Sequence, residues 1–293
     1  MSTKRWIIKD LLAVTTDYLK NKKMDNPRLC AETLLAHQLN ISRIKLYLSF
    51  DQPLNEKDIS RYRSMIKRRL KREPTQYITG VQEFWSLEFF VGSQALIPRP
   101  ESEVLVEQVL SIYGDENFAE ERPVILDLGT GSGAIAVSLA RELQGAIIWA
   151  SDISDEALRL ARLNSEKHGV ESRIHFIQGD LFRPFVEKSF KFDIIISNPP
   201  YIAPEDYEIL PPEVRDYEPR LALDGREGGI FFIEKIIRES SDYLKSDGWL
   251  LIEMDPSQTL KALNMIEESG YFGEKRCIMD YSQRERVVIA RKK

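Results

Sequence analysis

A chain of 293 residues, 43% hydrophobic and 30% charged with a formal net charge of −5, has the composition of a folded domain protein, and no apolar run in it approaches the roughly 18 residues of a membrane span. The opening Met1-Ser2-Thr3-Lys4-Arg5-Trp6 lacks the apolar core of a secretory signal, so a cytoplasmic location is expected. Cys30, Cys277, His37, His168 and His175 stand at no metal-ligand spacing, which predicts neither a disulfide framework nor a metal site.

Charge is unevenly spread: residues 1–75 hold 17 Lys and Arg against 8 Asp and Glu, a net of +9, which leaves −14 for residues 76–293. In the first stretch Ile7, Leu11, Val14 and Tyr18 recur at helical spacing. Asn26-Pro27 then provides an N-cap and a proline in the first turn, ahead of Leu29, Leu34, Leu35 and Leu39. After a short segment at 43–48, Asn55 and Asp58 form a capping signal for a helix to about Arg72 with the apolar stripe Ile59, Tyr62, Ile66 and Leu70. The remaining positions carry Arg61, Arg63, Lys67, Arg68, Arg69, Lys71 and Arg72, which form either a solvated face or a contact surface for RNA phosphates or an acidic partner. Residues 1–75 thus read as a small helical bundle.

The stretch 73–80 leads out of the bundle, and residues 76–100 read as linker and β-hairpin. Phe84, Trp85, Leu87, Phe89 and Val91 partly alternate with polar residues, Gly92 and Ser93 mark the expected turn, and Ala95-Leu96-Ile97 returns. Pro98-Arg99-Pro100-Glu101-Ser102-Glu103 precedes an amphipathic helix through Val104, Leu105, Val109 and Leu110; its charges between prolines either face a ligand or start that helix. From Pro123 onward strand and helix alternate. Strands are expected at 124–127, 146–151, 174–178, 192–197, 249–254, near 275–278 and at 287–290, with Gly270-Tyr271 and Arg284-Glu285 in the turns of a closing antiparallel hairpin. The predicted class is α/β: a doubly wound, seven-stranded, mainly parallel sheet carrying a small N-terminal helical domain.

Asp127-Leu128-Gly129-Thr130-Gly131-Ser132-Gly133 lies between the first sheet strand and a helix starting near Ile135. Glycines there let the backbone turn sharply and approach a nucleotide-type ligand that the helix N-terminus and Asp127 orient. The spacing Asp-x-Gly-x-Gly-x-Gly differs from the dinucleotide pattern Gly-x-Gly-x-x-Gly and is similar to the loop of class I S-adenosylmethionine methyltransferases. Asp152, 19 residues beyond Gly133 at the end of the second strand, can accept both ribose hydroxyls. Asp180-Leu181 after the third strand can receive the adenine amino group. A helix or turn cap is the plain alternative for either aspartate.

Asn198-Pro199-Pro200-Tyr201 follows the apolar run 192–197, at a strand's C-terminal end, where open α/β sheets hold ligands. The prolines fix φ and remove two N–H donors, so the Asn198 side chain and the Pro199 carbonyl become aimed acceptors, with Tyr201 offering an aromatic face. Two acceptors suit the two hydrogens of a planar NH2 group, and the ring favours positive charge growing on its nitrogen. A proline-rich turn closing a strand is the plain alternative.

Taken together, 96–103, the glycine loop, Ser197 to Ile202 and 213–223 resemble the release-factor glutamine methyltransferases, the HemK/PrmC family, over almost the whole chain. Three segments depart from the family pattern: Ser102 stands where threonine is usual, Gly225-Arg226-Glu227-Gly228-Gly229 replaces Gly-Gly-Glu-Asp-Gly, and Glu253-Met254-Asp255-Pro256 replaces Glu-Ile-Gly. The resemblance implies methyl transfer from S-adenosylmethionine, leaving S-adenosylhomocysteine, to the glutamine amide in the Gly-Gly-Gln motif of peptide-chain release factors. It implies cofactor binding by Asp127, Gly129, Thr130, Gly131, Ser132, Gly133, Asp152, Asp180, Leu181 and Asn198. It implies acceptor binding by Asn198, Pro199, Pro200 and Tyr201, and catalysis by Asn198, Pro199 and Tyr201. Residues 101–293 would form the methyltransferase domain and residues 1–75 would recognise substrate. Two other readings stand beside it: amino-group methylation of adenine or guanine in nucleic acid, and a cofactor-binding assembly factor without turnover.

Overall fold

The computed structural model describes residues 5–115, 122–186 and 190–293. Two compact units form: residues up to Gly80 together with Pro212–Tyr217, and Val81–Pro211 together with Glu218–Lys293.

The first unit contains helices α1 (Ile8–Asn21), α2 (Pro27–Leu39), α3 (Arg43–Leu48), α4 (Glu56–Leu70) and α5 (Thr75–Thr79). α1 buries Ile8, Leu11, Leu12, Thr15 and Leu19, whereas Val14 and Tyr18 are exposed, so its inner face is rotated from the expected stripe. Turning Leu12 and Leu19 inward removes more apolar surface from water. Asn26 precedes α2 in a left-handed conformation without a side-chain cap, while Pro27 takes the first turn as expected. The Asn55 side chain caps α4, accepting from the Asp58 N–H at 2.8 Å. Arg69, expected on the charged face, is buried with Ile59, Tyr62 and Ile66. It stands three residues beyond Ile66 and seven beyond Tyr62 and so shares their face.

In the second unit, β1 (Val81–Phe84) and β2 (Leu87–Phe90) pair antiparallel. The turn falls at Trp85-Ser86 rather than Gly92-Ser93: both have positive φ, 52° and 55°, the combination a two-residue hairpin loop requires. Glu103 offsets this strain by accepting from the Trp85 backbone N–H at 2.8 Å. There follow α6 (Glu103–Asp115), β3 (Val124–Leu128), α7 (Ala134–Glu142), β4 (Ile147–Asp152), α8 (Asp155–Lys167), β5 (Ile174–Gln178) and β6 (Phe192–Ser197). After α9 (Pro212–Arg215), part of the first unit, come α10 (Phe231–Ser240), β7 (Leu244–Glu253), α11 (Thr259–Ser269), β8 (Phe272–Met279) and β9 (Glu285–Lys292).

The seven-stranded sheet has the order β5-β4-β3-β6-β7-β9-β8, parallel from β5 to β7 and closed by the antiparallel β8–β9 pair. Its apolar runs alternate between two cores. Ile125, Ile194, Ile196, Leu251 and Ile289 meet α6 and α7, while Leu126, Ile195, Leu250, Ile252 and Val288 meet α10 and α11. Chain direction reverses about β3, the switch point at which such sheets bind ligands. Register lines up the strand ends there: Leu128 pairs with both Ser151 and Ser197, Asp152 with Gln178 and Ser197 with Ile252. Gly129, Asp152, Gly179, Asn198 and Glu253 therefore lie along one edge. Among the described residues no helix is long and apolar enough to cross a membrane.

Candidate active site

A cavity of about 530 Å³ opens at this edge, a size typical of small-molecule sites. Gly129, Thr130, Gly131 and Ser132 form one wall, with Asp152, Gly179, Asp180, Leu181, Asn198 and Pro200 around the rest. Gly133 has a different task. Its φ is +80°, and a Cβ there would stand 2.9 Å from the Ala161 Cβ, so glycine lets α8 pack against the start of α7.

Asp127 is not part of the cavity wall. Its Oδ2 accepts from the Thr130 hydroxyl at 2.7 Å, which ties the loop to the end of β3. Its Oδ1 is buried without a partner among the described residues. Burial raises its pKa to about 7. Asp152 reaches the cavity with both oxygens engaged on one side: Oδ2 accepts from the Gly131 N–H and Oδ1 from the Ser154 N–H, each at 2.9 Å. Each oxygen keeps acceptor capacity for a ligand. Burial raises this carboxyl too, against the pull of those N–H groups. Asp180 Oδ2 faces two cations, Lys235 Nζ at 3.3 Å and Arg183 Nε at 3.6 Å.

On the β6 side, Asn198 Nδ2 donates to Ser102 Oγ at 2.9 Å, leaving Oδ1 without a partner among the described residues. The Ser102 hydroxyl in turn hydrogen-bonds to Glu253, which is 1% exposed, and the Tyr201 hydroxyl donates to Glu253 Oε1 at 3.3 Å. Burial raises Glu253 to about 7, opposed by Ser102, Arg286 and Tyr201; burial raises the Tyr201 phenol as well. The motif's backbone is clasped from the far side. Tyr201 O accepts from Gln258 Nε2 at 2.9 Å, and a Cβ on Gly229 would stand 2.3 Å from that same oxygen, so only glycine fits there. The Arg99 guanidinium bonds to Glu218, whose second oxygen accepts from the Ile97 N–H at 3.1 Å. That clasp joins two segments far apart in sequence.

Residues 10–80 match the family model of the PrmC N-terminal domain, and residues 102–213 match that of the methyltransferase small domain. A release factor glutamine methyltransferase of Geobacter sulfurreducens is 42% identical over 266 residues, covering 91% of this chain and 90% of that one. Another from Chlorobaculum tepidum is 38% identical over 286 residues, covering 97% and 96%. This chain belongs to the release factor glutamine methyltransferase family. Its fold recurs in the hMettl16 catalytic domain crystallised with MAT2A 3′UTR hairpin 6, at a TM-score of 0.56 and 16% identity over 81% of this chain and 82% of that one.

In this family member the strand-end positions singled out from sequence converge on one cavity, with three exceptions. Asp127, Pro199 and Tyr201 do not line it, and the Tyr201 ring packs against the core that holds α10 and α11. The sequence reading missed Glu253, which reads as the end of an apolar strand, and treated Ser102 only as a family variation. It also missed Arg226, Phe231 and Phe232 in the cavity wall. The Arg226 guanidinium stands 4.9 Å and 5.1 Å from those ring centroids. A positive charge three and four residues outside paired aromatics at a helix start was the available signal.

Proposed function

We propose that this chain transfers a methyl group from S-adenosylmethionine to the side-chain amide nitrogen of the glutamine in the Gly-Gly-Gln motif of peptide-chain release factors, leaving S-adenosylhomocysteine. The orientation of Asn198 carries the reading: with Nδ2 on Ser102, its Oδ1 is an acceptor at the end of β6, beside the glycine loop. The names of the relatives support glutamine as the group modified. In this reading residues 1–75 recognise the release factor, 76–100 link, and 101–293 carry the transfer, in the cytoplasm where translation ends.

The residues present fit S-adenosylmethionine. Asp152 offers acceptors to the ribose hydroxyls, Asp180 and Leu181 line the wall suited to adenine, and the unpartnered Asp127 Oδ1 supplies negative potential behind the loop. When bound, the cofactor supplies an electrophilic methyl group on a sulfonium. An amide nitrogen is a poor nucleophile, and the motif 198–201 holds no His, Cys or Lys to act as its base. Positioning therefore carries the work. Asn198 Oδ1 and the Pro199 carbonyl take the two amide hydrogens, and alignment of this kind contributes on the order of 7 kcal/mol. These acceptors bind the nitrogen more tightly as it becomes positive, which lowers the barrier. The proton leaves after transfer, when the nitrogen has become acidic.

The test is incubation with labelled S-adenosylmethionine and either a release factor or nucleic acid, followed by mass spectrometry. One methyl group on the glutamine amide is expected. Label in nucleic acid alone would establish the adenine or guanine amino group as substrate, and binding without any product would establish an assembly factor.

A further inference from the structure

An asparagine carboxamide can turn either Oδ1 or Nδ2 toward a neighbour, and only Oδ1 accepts a hydrogen from a substrate NH2 group. In this fold the choice is made behind the motif. Asn198 Nδ2 donates to Ser102 Oγ at 2.9 Å, and Ser102 is 4% exposed, so water does not compete for it. The Ser102 hydroxyl also bonds to the Glu253 carboxylate at the end of β7, which receives the Tyr201 hydroxyl as well. An ionised carboxylate only accepts. The single hydrogen of Ser102 is therefore committed to Glu253, its lone pairs are all that remain for Asn198, and Nδ2 is the atom that must turn to them.

We propose that Glu253 is a positioning residue that, through the Ser102 hydroxyl, fixes the Asn198 carboxamide with Oδ1 toward the acceptor nitrogen. The inference rests on the methyl-transfer reading above. It explains why a carboxylate is kept in a nearly sealed site with no substrate contact. Its charge sets the direction of a hydrogen-bond chain, and the direction sets which end of Asn198 the substrate meets.

Protonation removes that direction, because a neutral Glu253 can donate to Ser102 and free its hydrogen for Asn198 Oδ1. The groups acting on Glu253 are Ser102 and Glu101 before α6, Tyr201 after β6, and Arg286 on β9. Burial places its pKa at about 7, so kcat falls as pH drops through that region.

The test is a double-mutant cycle in the full-length protein. Ser102→Ala, Glu253→Gln, the pair together, and Ser102→Thr are compared for kcat and KM on a release factor, with cofactor affinity by calorimetry as the check on fold. A glutamine at 253 forces one of the two hydroxyls to turn round, and an alanine at 102 removes the relay. Each single variant is expected to lower kcat about tenfold and the pair no further, since residues of one network are not additive. KM and cofactor affinity should stay near wild type, Ser102→Thr should keep wild-type kcat, and the acid limb of the pH profile should vanish in Glu253→Gln. Unchanged kcat in either single variant, multiplicative losses in the pair, or failure of Ser102→Thr to retain activity would overturn the inference while leaving the functional reading intact. A wild-type protein inactive on every release factor overturns both.

Discussion

Arg69 Nη2 meets Glu213 Oε1 at 2.6 Å, across 144 positions of sequence, with the two side chains only 5% and 15% exposed. Both lie in the first unit, so a loop of the later chain is fastened into the helical bundle by an ion pair largely closed to water. Arg72 Nη1 stands 3.4 Å from the same oxygen, and the Tyr217 hydroxyl donates to Lys71 O at 2.6 Å. Removing one partner of such a pair leaves an uncompensated charge. Glu213→Ala should therefore destabilise the first unit by about 3 kcal/mol, the low end for buried pairs because Glu213 keeps some exposure. Urea unfolding followed by a probe in residues 1–80 measures it; an unchanged midpoint would mean the pair contributes nothing.

The same pair restricts how the basic face of α4 can be tested. Arg68 is bridged to Glu73 at 2.5 Å and Arg69 is buried, whereas Arg61, Arg63 and Lys67 are exposed. Reversing those three to Glu should leave stability within about 0.5 kcal/mol. It should raise KM for an intact release factor at low salt, with little change for a short Gly-Gly-Gln peptide, because charge steers encounter and is screened over about 8 Å at physiological salt. An unchanged KM at low salt would make the face a solvated surface only.

Much of this was legible because strand ends are written locally. An apolar run followed by Asp-x-Gly-x-Gly-x-Gly or Asn-Pro-Pro-Tyr marks both a strand and what leaves it, and sheet order then brings Gly129, Asp152, Asp180 and Asn198 together. Local signals fail where burial is settled by a distant partner. Nothing near Arg69 announces Glu213, and nothing near Glu253 announces Ser102. The hairpin was misplaced for a related reason: glycine at 92 outweighs Trp85-Ser86 as a turn signal until Glu103 is known to hold the Trp85 N–H.

Asn198→Ala removes an acceptor assigned to the substrate and no group that contacts the glycine loop. Methyl transfer should fall by about 100-fold or more, the scale for losing one preorganised partner of a developing charge. Cofactor affinity should stay near wild type. Single-turnover rates and calorimetry separate the two, and a parallel loss of both would move Asn198 to the cofactor side.

Asp152→Ala should act in the opposite sense. Charge-assisted hydrogen bonds to a carboxylate contribute about 1.5 to 3 kcal/mol, so cofactor affinity should weaken by that amount. Part of the loss comes from the loop itself, because the Gly131 and Ser154 N–H groups lose their acceptor. Asp152→Asn, which keeps an acceptor oxygen, should lose less. An unchanged dissociation constant in both would exclude Asp152 as a ligand.

Asp127 gives the stability of the apo-protein a pH dependence opposite to that of an ordinary paired carboxylate. Burial raises its pKa from 3.8 to about 7 in the native state, so between these values the folded chain binds a proton that the unfolded chain has released. Stability from this group is therefore highest below pH 4 and falls as pH rises, with the full cost present above about pH 7. Asp127→Asn keeps an acceptor for the Thr130 hydroxyl and removes the buried charge. It should stabilise the apo-protein at pH 8 by on the order of 2 to 4 kcal/mol and change little near pH 4. Glu253 has the same sign, burial raising it to about 7, so the variant keeps part of the slope rather than losing it all. Urea midpoints of both proteins at pH 5 and pH 8 decide the matter: the gap between them must widen toward pH 8, and a gap equal at both values would show that the charge on Asp127 is not what the fold is tolerating.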